Sequence, residues 1–202
     1  MDYLFWILLG YFSGSVLYAY WIPKWFYHMD IRKVSDDGNP GTFNVFQHCG
    51  IRAGMLVLLL DMGKAFLPIH MAMQGLDQKE WAFALVLAAP VIGHAFPLWH
   101  HLKGGKSIAS SFGAMLGIYP NLVPAFFLAV CYIIFSVIVV INPHLFRSVV
   151  TFLVWNMGCW RIYGSGALTL GCFLISVVVI AKHLGKFQGE KFSLELFHLE
   201  RR

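Results

Sequence analysis

The sequence predicts an all-α polytopic membrane protein with about seven transmembrane helices, its N-terminus outside and its C-terminus cytoplasmic. Three observations lead there. Of the 202 residues, 58% are hydrophobic and only 12% are charged, against about 25% charged in soluble domains. So few ionised groups cannot cover a soluble globule, and so apolar a chain does not stay disordered. Apolar runs long enough to span a bilayer recur, consistent with a mean hydropathy of +0.67. Lysine and arginine are also divided unevenly between successive connections. The expectation is one integral membrane unit over residues 1–202.

The chain opens Met1-Asp2-Tyr3, acidic where the basic region of a cleaved signal belongs, and no small-x-small site follows. The first segment is therefore expected to remain as a membrane helix over 4–26. Within it Gly10 and Gly14 form a Gly-xxx-Gly close-packing face. Residues 53–73 and 81–99 are the other clear spans. From 107 to 141 there is room for two more, divided at Tyr119-Pro120-Asn121, and the first, 108–118, is short and rich in Gly and Ser. After Asn142-Pro143 come 147–159 and 167–182. Segments too short to cross alone are tolerated among other helices or beside a wet cavity. Trp and Tyr near segment ends read as interfacial anchors.

Counting basic residues on alternate sides puts twelve on one: Lys24, Arg32, Lys33, Arg52, Lys103, Lys106, Arg147, Lys182, Lys186, Lys191, Arg201 and Arg202. The other has Lys79 and Arg161, and Lys64 lies within a helix. This asymmetry places the first side in the cytoplasm. The net charge of +5 is thus partly an orientation signal. Arg32-Lys33 is too short and too mixed with acid for a nucleic-acid patch. The four cysteines, Cys49, Cys131, Cys159 and Cys172, form no Cys-x-x-Cys and read as packing residues or free thiols.

Polar residues concentrate in three places. In the loop 29–47, Gly38, Asn39, Pro40, Gly41 and Thr42 form a turn whose amides can face one centre. Glycines permit close approach, and successive amides make an anion nest to which Asn39 and Asn44 add donors. A plain connecting loop with turn residues is the alternative. The second island runs from Gly93 to Gly113. There Lys103-Gly104-Gly105-Lys106-Ser107 precedes a helix, bringing ammonium groups, amides and a helix N-terminus together for phosphate. A basic flank with a glycine turn is the alternative. His100 stands where a nucleotide-binding loop would need glycine, and no strand precedes it, which excludes that motif. Third, Asp61 and Lys64 lie one helical turn apart and can face each other, either as a structural pair or beside a cavity. The nine histidines show no ligand spacing such as His-Glu-x-x-His, and His100-His101 reads as interfacial.

Taken in order, these stretches resemble the bacterial membrane glycerol-3-phosphate acyltransferases that use acyl phosphate, the PlsY family. The resemblance runs from about Leu9 to Gly113. It comprises Gly14-Ser15, Asp30-Ile-Arg-Lys33, Gly38-Asn39-x-Gly41-x-x-Asn44-Val45, Ala53-Gly54, Leu58-Leu-Leu-Asp61-x-x-Lys64, Gly93-His94-x-Phe96-Pro97 and Lys103-Gly-Gly-Lys106. The family motif Ser-Gly-Asn-x-Gly-Ala-Thr-Asn-x-x-Arg is altered here: Asp37 replaces Ser, Thr42 Ala, Phe43 Thr and Gln47 Arg. The family's Lys-Gly-Gly-Lys-Gly-Val-Ala-Thr continues as Ser107-Ile-Ala-Ser110, and its C-terminal His-x-x-Asn reads His183-x-x-Lys186.

The resemblance implies a multi-pass protein of the bacterial plasma membrane that transfers an acyl group from acyl phosphate to glycerol 3-phosphate, giving lysophosphatidate and phosphate. The donor is already an activated anhydride, so no covalent nucleophile, metal or cofactor is required. The protein's work is to hold two anions together and stabilise developing charge. By that likeness Gly38, Asn39, Gly41, Thr42 and Asn44 bind the donor phosphate. Lys106, with Lys103 and His183, binds the acceptor, Gly104, Gly105, Ser107, Asp61 and Lys64 complete the substrate-binding set, and the catalytic candidates are His94, Lys106 and His183. His94 is structural or assists a proton transfer. The partners implied are the two substrates and membrane lipid, with no nucleic acid. The changed motif residues leave open a relative that acylates another acceptor, or a non-catalytic lipid- or anion-binding membrane protein.

Overall fold

The computed structural model describes residues 2–187, 189 and 191–196, and these are mostly helical. Arg201 and Arg202 of the cytoplasmic charge count lie outside the described residues. The first expected span is broken in two. Helix α1 (Tyr3–Gly14) is capped by the Asp2 carboxylate, which accepts from the Leu4 amide, and α2 (Tyr18–Phe26) follows after a break at Ser15–Leu17. A short α3 (Ile31–Val34) is capped by Asp30. Helix α4 (Thr42–Ala72) begins inside the stretch expected to be loop and is interrupted at Gly50, whose φ of 83° is left-handed. Glycine alone among the common residues takes that conformation at little cost.

Helix α5 (Ala82–Ala95) leads through one turn of tighter helix, Leu98–His100, to α6 (Ile108–Gly117). The expected helix over 121–141 is corrected. Helix α7 (Val123–Ile133) widens into a π turn, Ile134–Ile138, and then becomes a strand, β1 (Val139–Asn142). The run Val137-Ile-Val-Val-Ile141 is apolar enough for a membrane helix but β-branched throughout, which suits a pleated strand better. Helix α8 (His144–Tyr163) is longer than expected and takes in both Arg147 and Arg161. Helix α9 (Ala167–Leu184) follows, and the tail returns as β2 (Ser193–Leu196), antiparallel to β1 with Val140 opposite Glu195.

Among the described residues, four stretches are long and apolar enough to cross a membrane: Tyr3–Phe26, Thr42–Ala72, Ala82–His100 and Ala167–Leu184. Ile108–Gly117 and Val123–Ile138 are apolar but shorter. Helix α5 is the hub. It packs against α1, α4, α6 and α9, and eleven of its fourteen residues are buried. Small residues permit these crossings. A Cβ on Gly14 would strike the Pro90 backbone, one on Gly93 the Tyr11 carbonyl, and one on Gly113 the Met62 carbonyl. Backbones that close make many dispersion contacts, which drive helix association where no hydrophobic effect operates. Trp155 of α8 is fully buried, its indole N–H donating to the Pro124 carbonyl of α7 at 2.8 Å. All four cysteines are free thiols.

Candidate functional site

The first two polar islands meet around one cavity of about 770 Å³, between the start of α4, the end of α5, the start of α6 and the α7–β1–α8 turn. Its walls carry Asn39, Gly41, Thr42 and Asn44 from the first island and His94, Lys106 and Ser107 from the second. Phe43, Phe46, Leu58, Ile108 and Phe112 supply apolar wall beside them. A cavity both charged and apolar suits an amphipathic ligand, a phosphate joined to an alkyl chain.

The first loop is held by its own polar groups. Gly38 turns the chain at φ 59°, and its amide donates to Ser35 O at 3.1 Å. Asp37 Oδ1 then accepts from the Asn39 amide at 3.1 Å and from Asn44 Nδ2 at 2.9 Å. Asn44 Nδ2 also donates to Asn39 O at 2.7 Å. The other carboxylate oxygen of Asp37 is 2.8 Å from Lys106 Nζ, which ties the first island to the second. Burial pushes the Asp37 carboxyl up, but hydrogen bonds from Lys106 and Asn44 outweigh it and hold the group below its ordinary value. Asp37 is therefore ionised at neutral pH. Asn39 Oδ1 is buried without a hydrogen-bond partner. A Cβ on Gly41 would fall 2.5 Å from Asn39 Nδ2, so glycine is what lets Asn39 fold over the start of α4.

In the second island the parts separate. The Gly104 and Gly105 amides donate to Ala95 O and His94 O, both at 3.1 Å, so they are engaged with the end of α5. They do not line the cavity. Their role is close approach: a Cβ on Gly105 would strike His94 Nε2 and come within 3.0 Å of Pro40 O. Lys103 is exposed and off the cavity wall. What reaches the cavity is Lys106 and the first turn of α6, whose leading amides lack helical carbonyl partners. Ser107 begins that helix at φ 64°, a left-handed conformation unusual for serine, and its hydroxyl donates to Val91 O at 3.1 Å.

Three further expectations are relocated. Asp61 and Lys64 do pair, at 2.7 Å, but both are buried behind the wall. Lys64 Nζ also donates to Val16 O at 2.5 Å, in the break between α1 and α2. Thr42 Oγ1 at 3.4 Å and His94 Nδ1 at 3.7 Å complete the surroundings of the Asp61 carboxylate. This cluster ties α4, α5 and the α1–α2 break together beneath the cavity. His183 is fully buried, with Nδ1 2.8 Å from Val179 O and its ring stacked on His144. It is His144 that lines the cavity. Gly38 shapes its turn from outside the wall.

The cavity wall also holds Arg147, which sequence reasoning took for a topology flank. Its only sequence signal was a charge four residues beyond Asn142-Pro143, the same signal a flank gives. Asn142, His144 and Tyr132 join it on the wall, from a half of the chain where no motif was legible.

The sequence profile of the glycerol-3-phosphate acyltransferase family matches residues 4–189. The chain belongs to that family. A glycerol-3-phosphate acyltransferase of Maridesulfovibrio salexigens is 38% identical over 121 residues, covering 59% of this chain and 60% of the relative. Glycerol-3-phosphate acyltransferase 1 of Dehalococcoides mccartyi is 40% identical over 114 residues, covering 56% of this chain and 54% of the relative. The chain thus spans no more than about three fifths of these curated relatives in alignment. The crystal structure of PlsY (YgiH), an integral membrane glycerol 3-phosphate acyltransferase, in its glycerol 3-phosphate form matches with a TM-score of 0.78 at 25% identity, covering 91% of this chain and 88% of that chain. Against the acyltransferase motif, Asp37 and Gln47 are both cavity residues, so the departures fall on the site itself.

Proposed function

We propose that the cavity transfers an acyl group from acyl phosphate to the hydroxyl of glycerol 3-phosphate, on the cytoplasmic side of a bacterial plasma membrane, in a multi-pass protein with its N-terminus outside. The observation that carries this reading is the convergence of Lys106, the α6 N-terminus and the Asn39–Asn44 turn on a cavity with a phenylalanine-rich wall. Family membership and the likeness to PlsY in its glycerol 3-phosphate form support it.

The chemistry needs no covalent intermediate. The acceptor hydroxyl oxygen attacks the acyl carbonyl carbon, the bond from that carbon to the phosphate oxygen breaks, and phosphate leaves with the electron pair. The hydroxyl proton passes to a phosphate oxygen. The products are lysophosphatidate and phosphate. The protein holds the two anions in line and offsets negative charge as it shifts from carbonyl to leaving group. In this reading the Asn39–Gly41 turn and the first turn of α6 hold the donor phosphate, and Lys106 reaches the acceptor phosphate. His94 acts as scaffold, its ring fixed between Asp61 and Gly105.

A second reading has its own observation. Asp36 and Asp37 place two carboxylates on the wall, and like charge disfavours a dianion there unless cations offset it. A relative that acylates a less charged hydroxyl acceptor would tolerate them better. Purified protein given a long-chain acyl phosphate, with glycerol 3-phosphate or glycerol as acceptor and phosphate release followed, separates the two. Acylation of glycerol 3-phosphate supports the first reading. Turnover confined to the neutral acceptor supports the second, and no turnover with any acceptor leaves a non-catalytic binder.

A further inference from the structure

Among the described residues, the lysines, arginines and carboxylates on the cavity wall are Asp36, Asp37, Lys106 and Arg147. They balance, and Lys106 is already committed to Asp37 at 2.8 Å. Without Arg147 the wall would carry a net negative charge toward an incoming phosphate. Arg147 stands in the first turn of α8, half-buried. Its Nε donates to Ile141 O and its Nη2 to Asn142 Oδ1, both at 3.0 Å. Both acceptors are neutral, so they aim the guanidinium without cancelling its charge. A guanidinium has five N–H donors, so three remain for another partner, in the planar fork that fits phosphate oxygens in pairs. Gln47 lines the same cavity, and it stands where the family motif carries arginine.

We propose that Arg147 is a phosphate-binding residue of this cavity, supplying from α8 the guanidinium that the family motif places at the position of Gln47. The proposal rests on reading the cavity as a phosphate-ester site. It explains how a chain can lose the motif arginine and gain the Asp37 carboxylate while its cavity stays balanced in charge. Lys186 works in the same direction from outside the wall, donating from Nζ to Asp37 O at 2.9 Å.

The test is direct binding of inorganic phosphate and of glycerol 3-phosphate to the full chain in detergent, by calorimetry, with the unfolding midpoint of each variant measured alongside. Arg147→Ala should weaken binding of both ligands about 10- to 150-fold, the usual range for a charge-assisted contact. Arg147→Lys, which keeps charge but not the fork, should fall between. Because Arg147 also anchors the β1–α8 turn, a loss accompanied by a lower midpoint is resolved by Gln47→Arg in the Arg147→Ala background. Recovery of binding supports the proposal, and no recovery overturns it. Equal binding by Arg147→Ala and wild type overturns it, as does a wild type that binds neither ligand. A wild type that binds phosphate through Arg147 but transfers no acyl group leaves this assignment standing and removes the acyltransferase reading instead.

Discussion

With its Nζ 2.8 Å from Asp37, Lys106 is paired before any anion arrives. Binding a phosphate therefore exchanges or shares a partner, and Asp37 sets the resting position of the ammonium. Lys106→Ala should lower kcat/KM for glycerol 3-phosphate by about 10- to 150-fold, the worth of one charge-assisted contact. Lys79→Ala, exposed and far from the cavity, is the control and should do little. Unchanged kinetics for Lys106→Ala would reduce this residue to a topology flank. The buried Asp61–Lys64 pair obeys a different logic. Removing one partner strands a charge away from water, whereas removing both does not. Lys64→Met should destabilise the folded protein by about 3–5 kcal/mol, and Asp61→Asn added to it should recover much of that. Thermal unfolding in detergent measures both; a double variant as unstable as the single one would contradict the pairing. The spacing of Asp61 and Lys64 made the pair legible in the sequence. Its place behind the wall was not, because that depends on Val16 O across the α1–α2 break.

At the scale of elements, the sequence marked the helices well where apolar length decides and poorly where polar and apolar residues mix. Thr42–Cys49 is a short amphipathic stretch before Gly50, and it reads as loop by hydropathy although it opens α4. The strand β1 was hidden in an apolar run, and its partner β2 lies more than fifty residues on, beyond the reach of local pattern. Lys103-Gly104-Gly105-Lys106 was legible as a motif, yet only one of its four residues reaches the cavity, because the glycine amides dock on α5. The Gly-xxx-Gly face of α1 was legible with its role: Gly14 lies against the Pro90 backbone. Gly14→Leu should therefore separate α1 from α5 and lower the unfolding midpoint sharply. Gly63→Ala, where a Cβ meets nothing within 4 Å, should leave the midpoint unchanged or raise it. Equal midpoints for Gly14→Leu and wild type would contradict the crossing.

Across the whole molecule, the loop carrying Asp36, the turn carrying Lys106 and the tail after α9 lie at one end of the bundle, where Lys186 Nζ reaches Asp37 O. In the orientation proposed above, that end faces the cytoplasm. In a Cys49→Ser background, cysteine placed at position 36 or 189 should resist an impermeant thiol reagent applied to intact cells and react once the membrane is opened. Ready labelling from outside would invert the orientation. The fold thus gathers one half of the site from motifs near the N-terminus and the other half, Asn142, His144 and Arg147, from a region whose chemistry appears only once the chain is folded. The proposed work of this cavity is acyl transfer between two phosphate compounds. Its most direct test is turnover by the purified protein of a long-chain acyl phosphate with glycerol 3-phosphate, measuring lysophosphatidate and free phosphate together. The two products should appear in equal amounts, and Lys106→Ala and Arg147→Ala should each slow both. Phosphate release without lysophosphatidate, or turnover that neither substitution alters, would contradict it.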